Sequence, residues 1–305
     1  MPRYLVTGGA GFIGSTLAKR LLREGHEVFI IDDLSTGKRE NVPEGATFIE
    51  ADLTDLDAIR NHFIGIDGVF HMAAMPRVPY SVEHPVESSR NNIFSTLNTL
   101  VAARDAGVKR VVYSASSSAY GNNPELPQHP DMKPDPLSPY ALQKLIGEYY
   151  CKLFADLYGL QTVSLRYFNV YGPNMAEGGA YVTVMSIFKQ QFLDGKPLTI
   201  FGDGEQTRSF CHVDDVVNAN VLAMASPKVG KGEILNVSGE SSISINEIAG
   251  RFNHPIEYLP PRPGDSKHSM GDISKTKELL GWEPRITFDE GFEALMKLWG
   301  LEGGS

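Results

Sequence analysis

Cysteine is scarce in this chain. Cys151 and Cys211 are its two thiols, too few for a disulfide framework and without the paired spacing of a zinc site. Reduced thiols in a cytoplasmic protein are the expectation. Long apolar runs are missing as well. No stretch approaches the roughly 20 residues that a bilayer span requires. Gly8 and Gly9 interrupt the first apolar run before a signal segment can form. Positive charge is in deficit: 28 Lys and Arg face 37 Asp and Glu, for a net charge of −9, with no long basic run. That balance argues against nucleic acid as a partner. An acidic chain that binds an anionic ligand must gather its cations locally. Internal repeats and low-complexity tracts are lacking too.

Core material is ample. Hydrophobic residues make up 42% of the 305, enough for one large domain or two modest ones. Short β-rich runs at residues 4–7, 27–31, 47–50, 68–71, 110–114 and 162–167 alternate with amphipathic stretches such as 15–24, 55–63 and 92–106. That rhythm predicts an α/β fold, a parallel sheet wrapped by helices. After residue 167 the rhythm degrades. Pro and Gly punctuate the chain, as in Tyr171-Gly172-Pro173 and Pro260-Pro261-Arg262-Pro263-Gly264, and a smaller, irregular domain is expected there.

Thr7-Gly8-Gly9-Ala10-Gly11-Phe12-Ile13-Gly14 falls between the first strand and the first helix. It reads as G-x-G-x-x-G from Gly9 and as G-x-x-G-x-x-G from Gly8. Such glycines allow a tight turn and a close backbone approach to a pyrophosphate, which the helix N-terminus then faces with free N–H groups. Asp32 ends the second strand, where a ribose 2′-hydroxyl is expected. Its carboxylate would accept from both adenosine hydroxyls and repel a 2′-phosphate, which favours NAD over NADP. Lys38 and Arg39 stand nearby as cations that could serve a phosphate. Asp52-Leu53, after the third strand, is a candidate adenine contact.

Tyr140-Ala-Leu-Gln-Lys144 sits where a helix should begin. Ser138 can cap it and Pro139 suits its first turn. Tyr140 and Lys144 then share a face, one turn apart. A free phenol has a pKa of about 10 and is a poor base at neutral pH; a fixed ammonium favours the phenolate. The pair can move a proton. Upstream, the serine-rich residues 114–121 follow the fifth strand, and ligands in open α/β sheets lie beyond the carboxyl ends of strands. A serine there can hydrogen-bond a hydroxyl or carbonyl.

These pieces resemble the extended short-chain dehydrogenase/reductase family, specifically its nucleotide-sugar epimerases. The matching motifs are residues 7–14, His71-Met72-Ala73-Ala74, residues 114–121 and Tyr140-Ala-Leu-Gln-Lys144. They continue with Arg166-Tyr167-Phe168-Asn169-Val170-Tyr171-Gly172-Pro173, Arg208-Ser209-Phe210-Cys211-His212-Val213-Asp214-Asp215 and Arg262-Pro263-Gly264-Asp265. They come in family order and cover essentially the whole chain. The resemblance implies a Rossmann-type doubly wound domain over residues 1–166, with a returning segment near 210–238. A smaller α/β substrate-binding domain would take residues 167–209 and 239–305.

The resemblance further implies Ser116, Tyr140 and Lys144 as a catalytic triad. As phenolate, Tyr140 takes the proton of the sugar 4-hydroxyl while C4 gives hydride to NAD, Ser116 orients the oxygen, and Lys144 holds the nicotinamide ribose. The 4-keto sugar then turns over and takes hydride back on its other face. Gly8, Gly11, Phe12, Ile13, Gly14, Asp32, Asp52, Leu53, Ala73, Asn92, Tyr140, Lys144 and Tyr167 are the implied cofactor contacts. Asn169, Arg208 and Arg262 would meet the substrate diphosphate, Asp265 the ribose and Phe201 the uracil. His212, Asp214 and Asp215 look like a metal cluster but read better as a helix start with carboxylates at its N-terminus, and no metal is expected. His71 reads as structural. A homodimer is implied, through an apolar stripe of Ile93, Leu97, Leu100 and Val101 beside Leu142, Ile146, Tyr149 and Leu153.

Relatives that dehydrate or decarboxylate carry acids at positions 117–118 or at 118. Here positions 116–118 are serines, which leaves epimerisation, with reduction as the alternative. In the related epimerases a position a few residues after the Arg-Pro-Gly-Asp motif gates the space beside the sugar C2, and alignment puts Ser269 there. A small residue leaves room for an N-acetyl group. Gly178-Gly179-Ala180-Tyr181 also resembles epimerases of UDP-N-acetylhexosamines. The expectation is a UDP-hexose 4-epimerase taking UDP-GlcNAc and UDP-GalNAc and also UDP-Glc and UDP-Gal, with UDP-uronic acids or another nucleotide-sugar epimerase or reductase as alternatives.

Overall fold

The computed structural model describes residues 1–175, 183–261 and 267–301. Strand β1 (Arg3–Thr7) turns through glycines into helix α1 (Phe12–Arg23), and β2 (Glu27–Asp32) follows. Next come β3 (Thr47–Glu50), the one-turn helix α2 (Leu56–Ile59), β4 (Gly68–His71), the short helices α3 (Val78–Glu83) and α4 (Pro85–Ser89), and α5 (Ser95–Asp105). Strand β5 (Arg110–Ser116), helix α6 (Pro139–Tyr158) and strand β6 (Gln161–Tyr167) complete the regular half. The second half runs β7 (Asn169–Tyr171), α7 (Val184–Leu193), β8 (Leu198–Phe201), β9 (Thr207–His212), α8 (Val213–Ala225) and β10 (Lys231–Val237). It continues with β11 (Ser242–Ser244), α9 (Ile245–Gly250), β12 (Ile256–Leu259), α10 (Ser274–Leu280) and α11 (Phe288–Leu298).

Seven strands pair in parallel in the order β10-β6-β5-β4-β1-β2-β3. The order reverses at β1, with β2 on one side and β4 on the other. A crevice opens beyond the carboxyl ends of strands at such a switch point. The two smaller sheets are β11-β9-β7 and β12-β8. Alternation along the buried strands feeds two cores. Val6, Val112 and Leu165 pack against Leu17, Leu21 and Val216 of α1 and α8. Leu5, Val111 and Tyr113 pack on the other face against Leu100, Cys151 and Phe154 of α5 and α6. Strands covered on both faces must be apolar at successive positions, as these are. A third cluster around Met185, Phe188, Phe210, Ile248 and Phe292 supports the small sheets.

The six strands read from the sequence all form, each within two residues of its expected ends. The helices differ more. The stretch 55–63 divides into α2 and a 3₁₀ turn at Arg60–Phe63, and 92–106 enters α5 through a π turn at Arg90–Phe94. Helix α1 begins at Phe12 because the glycine turn delivers the chain straight into it. The seventh strand, β10, is supplied from far along the chain.

A single buried guanidinium ties that returning segment down. Arg110, at the start of β5, donates from Nη1 to the carbonyls of Ala223, Met224 and Ser226, each at 2.8 Å. Its Nη2 donates to Val229 O at 2.8 Å and to Gln161 Oε1 at 2.6 Å. A cation at the last carbonyls of α8 also meets the negative end of that helix. Arg110→Met should therefore lower the unfolding free energy by about 3 kcal/mol, because several buried carbonyls lose their donor. Urea denaturation of the two proteins checks this, and a difference under about 0.5 kcal/mol rejects it.

Candidate active site

A cavity of about 1930 Å³ runs along the carboxyl ends of the strands. Its nucleotide end is made largely of backbone. Gly8 holds φ +68°, and a Cβ there would stand 2.7 Å from the Ala73 Cα and N. A Cβ on Gly14 would stand 2.2 Å from the Gly8 carbonyl oxygen. Only glycine lets these segments meet. No side chain caps α1 and no acid occupies its first turn, so its N–H groups and dipole are left for an anion. Gly8, Gly11, Phe12, Ile13 and Gly14 line this end.

Asp32 is buried at the end of β2. Its Oδ2 accepts from Ala10 N at 2.9 Å and its Oδ1 from Leu34 N at 2.8 Å. Burial raises its pKa, and these two backbone bonds work against that. Each oxygen keeps a lone pair for a ribose hydroxyl. The neighbouring cations are engaged with acids: Lys38 with Glu40 at 3.5 Å, and Arg39 with Glu50 at 3.8 Å while lying 4.0 Å over the Phe48 ring. The glycine cradle, the free helix end and this carboxylate fit NAD. Asp52 and Leu53 also line the cavity, with Asp52 bound to Thr54 N and Oγ1 at 2.8 Å.

His71 holds the strands together. Thr96 gives its hydroxyl hydrogen to Asn92 O at 2.7 Å, so it accepts from His71 Nε2 at 3.0 Å, and His71 Nδ1 accepts from Thr7 at 2.7 Å. Burial, then the charge of Lys144, lowers the His71 pKa to about 3. The neutral ring is structural, as expected. Ala73 lines the cavity and donates to Thr7 Oγ1 at 3.3 Å. Asn92 does not reach the cavity wall. The side chain is buried between the Met75 backbone, at 2.6 and 3.2 Å, and Gln143 at 2.6 Å. Asn91 and Ser95 of the same segment line the cavity instead.

The side chains expected to be catalytic come from β5 and α6. Ser138 caps α6 by accepting from Ala141 N at 3.2 Å, and Pro139 fills its first turn. Tyr140 N donates to Ser81 of α3 at 3.1 Å. Lys144 Nζ donates to Ser114 O at 2.7 Å and lies 5.1 Å from the Tyr113 ring centre. Burial lowers its pKa to about 7, and Cys151 and Glu148 oppose the shift. Ser116 accepts from the Ser118 hydroxyl at 2.8 Å and from Ser118 N at 3.2 Å, which leaves its own hydrogen for another acceptor. Ser116, Tyr140, Lys144 and Tyr167 all line the cavity. Burial holds the Tyr167 phenol well above its usual range, and it donates to Asn220 at 2.9 Å.

Toward the small sheets the wall carries Asn169, Phe201, Arg208 and Ser269. Asn169 donates to Ser209 O at 3.0 Å, keeping its carbonyl oxygen for a ligand. Ser269 is buried beside β9, and its hydroxyl has no hydrogen-bond partner among the described residues. Arg262 and Asp265, with Gly178-Gly179-Ala180-Tyr181, lie outside the described residues. His212 caps α8 by accepting from Asp214 N at 3.3 Å. Asp215 holds Ile286 N at 3.0 Å and Trp282 Nε1 at 2.9 Å. Among the described residues no group of acids, His and Cys could hold a metal, and no helix is long and apolar enough to cross a membrane.

The sequence reading missed Gln128, a buried residue of the cavity wall, which no motif marks. It also missed the buried pair Glu148–Arg166 behind Lys144. A signal for that pair existed: Glu148 is the next turn after Tyr140 and Lys144.

A family model described as the NAD dependent epimerase/dehydratase family matches residues 4–238. The UDP-glucuronate 4-epimerase of Thermodesulfobacterium geofontis is 38% identical over 325 residues, covering 99% of this chain and 97% of its own. The fold is also similar to the UDP-glucose 4-epimerase of Thermotoga maritima solved with UDP-glucose (TM-score 0.93, 37% identity, 98% of both chains). The UDP-N-acetylglucosamine 4-epimerase of Methanobrevibacter ruminantium, solved with UDP-N-acetylmuramic acid, gives a TM-score of 0.90 at 36% identity, over 97% of this chain and 99% of that one.

Asp32→Asn should weaken NAD binding at least about tenfold, since one charge-assisted acceptor is lost at the ribose. Calorimetry on cofactor-stripped protein measures it. An unchanged affinity would move the ribose elsewhere.

Proposed function

The chain belongs to the NAD-dependent epimerase/dehydratase family, and we propose that it inverts C4 of UDP-N-acetylglucosamine and UDP-N-acetylgalactosamine, and takes UDP-glucose and UDP-galactose as well. It is an NAD-dependent UDP-sugar 4-epimerase. NAD supplies the acceptor, and then the donor, of the hydride at C4. Tyr140 takes the proton of the 4-hydroxyl and returns it at the end of the cycle. Ser116 donates to the reacting oxygen with the hydrogen that Ser118 leaves free. Lys144, fixed by Ser114 O, places positive charge behind Tyr140 and favours its phenolate. Arg208 and Asn169 receive the diphosphate, joined by Arg262, with Asp265 at the ribose and Phe201 on the uracil.

The observation that carries the sugar assignment is Ser269. It is a small, buried residue of the cavity wall, and its hydroxyl has no hydrogen-bond partner among the described residues. Its small size supports room beside C2 for an N-acetyl group. The serines at 116–118 support epimerisation over elimination or decarboxylation, because no acid stands there to drive either. A panel of UDP-sugars with the epimers resolved tests the assignment, and Ser269→Tyr sharpens it. The larger ring should lower kcat/KM for UDP-GlcNAc about ten- to a hundredfold, the effect of a clash of about 1–3 kcal/mol. UDP-Glc, with only a hydroxyl at C2, should escape most of it. Equal loss for both sugars assigns Ser269 to folding or diphosphate binding, and no loss removes it from the sugar site.

A homodimer belongs to the same proposal. Leu142, Tyr149 and Leu153 are 47%, 54% and 48% exposed along α6, an apolar face that lacks cover in one chain. Leu100 is not part of it, being buried against the sheet. Phe94 at 55% and Leu157 at 68% exposed extend the face instead. Light scattering at micromolar concentration should give twice the chain mass; a monomer rejects the contact.

A further inference from the structure

Behind the reactive face of α6 lies a charge that the catalytic scheme does not use. Glu148 sits one turn beyond Lys144, and its side chain is fully buried. Arg166 of β6, equally buried, reaches it with two parallel bonds, Nε to Oε1 at 2.8 Å and Nη2 to Oε2 at 2.7 Å. Its third nitrogen, Nη1, has no hydrogen-bond partner among the described residues. The guanidinium instead lies 4.6 Å from the Tyr120 ring centre. Tyr120 ends the 3₁₀ turn Ser117–Tyr120, which follows directly on Ser116, and its hydroxyl is fixed by Asn236 at 2.6 Å. Arg166 also lies opposite Ala115 in the sheet. One guanidinium thus touches the helix that carries Tyr140 and Lys144 and the turn that follows Ser116.

We infer that Glu148 and Arg166 are a positioning pair for catalysis: they fix the serine turn against the catalytic helix, and Glu148 is the counter-charge that keeps Lys144 an ammonium. This rests on the roles given above to Ser116, Tyr140 and Lys144. A hydrophobic pair of the same volume would pack as well and often better, so stability alone does not call for ions here. Every group around Lys144 bears on the second role. From β5 come Ser114 and the Tyr113 ring, and from β4 the neutral His71. Arg166 on β6 carries like charge. On α6, Tyr140 is uncharged until it gives up its proton, and burial pushes the Cys151 thiol up to about 12. Besides the Tyr140 phenolate of the catalytic scheme, Glu148 is the remaining anion among these groups; burial pushes its pKa up, and the bonds and charge of Arg166 work against that.

The test compares kcat, KM and pH profiles of the holoenzyme with those of Glu148→Gln, which keeps the shape and removes the charge. At neutral pH, kcat should fall at least about tenfold with KM changed less than about threefold. The alkaline limb of the kcat profile should move down by about one pH unit or more, because Lys144 loses its proton earlier. A purely structural role would lower the melting temperature and leave the profile in place. That outcome overturns the inference. Should Glu148→Gln fail to fold, the double variant Glu148→Met with Arg166→Met removes both charges together. It should fold and still show the low kcat and shifted limb, and wild-type values there overturn the inference too. Tyr140→Phe, run alongside, separates the two levels. It should abolish turnover, and a mutant keeping most of its kcat would remove Tyr140 from the base role rather than test Glu148.

Discussion

The reactive end of this molecule depends on one buried hydrogen bond, from the Lys144 ammonium to the Ser114 carbonyl oxygen at 2.7 Å. An ammonium taken out of water is costly unless oriented dipoles or an opposite charge meet it. Here it finds a carbonyl, the face of Tyr113 and Glu148 one turn away. The bond also sets geometry. Ser114 belongs to β5 and Lys144 to α6, so the helix is locked in register against the strand. Gly147 permits the approach, for a Cβ there would stand 2.2 Å from the Tyr113 hydroxyl. Side chains alternate along a strand, so Ser116 points to the same side as Ser114. The period of the strand and the pitch of the helix together place a hydroxyl, a phenol and an ammonium on one cavity.

The two ends of that cavity are built by different means. The nucleotide end uses backbone: glycines that admit Ala73, a bare helix terminus, and one carboxylate that organises the loop through Ala10 and Leu34. Such a site tolerates little change, because a side chain at Gly8 or Gly14 would run into the neighbouring backbone. The sugar end uses side chains on loops and short strands, where a single replacement alters shape without disturbing the sheet. That division explains why relatives acting on UDP-glucose, UDP-N-acetylglucosamine and UDP-glucuronate all resemble this chain at 36–38% identity. Overall similarity therefore does not separate the three sugars.

Much of this was legible in the sequence because local signals agreed. The glycine turn, Asp32 and the capped Tyr140–Lys144 helix are each written in a few adjacent residues, and each forms as read. Contacts that join distant segments were not legible. Asn92 resembles a cofactor residue by position, yet a π turn directs it to Met75 and Gln143. Leu100 fits an exposed stripe by helical period, but the sheet covers it. Nothing beside Arg110 or Arg166 in the sequence marks their partners: most of those of the first lie more than a hundred residues away, and that of the second is on a neighbouring helix. Periodicity reports which side of an element is apolar, and it is silent on which buried polar groups meet.

A C4 inversion sets opposing demands on such a site. The ketone must present both faces to the same hydride carrier, so the sugar cannot be held rigidly, yet it must not escape while oxidised. Binding that is equal in every state raises affinity without raising the rate of the chemical step. The residues here divide accordingly. On the proposed reading, the anchoring energy is spent on the diphosphate and base, at Arg208, Asn169 and Phe201, where nothing reacts. On the same reading the sugar lies among small residues, Ser269 beside C2 and Ser116 and Ser118 beside the reacting oxygen, and these two short hydroxyls can donate to or accept from an oxygen that turns toward them. The ring can exchange faces among such groups without leaving a buried charge unpaired. The stronger electrostatics are withdrawn behind it, in Lys144, Glu148 and Arg166, where they hold the base and leave the sugar free to turn.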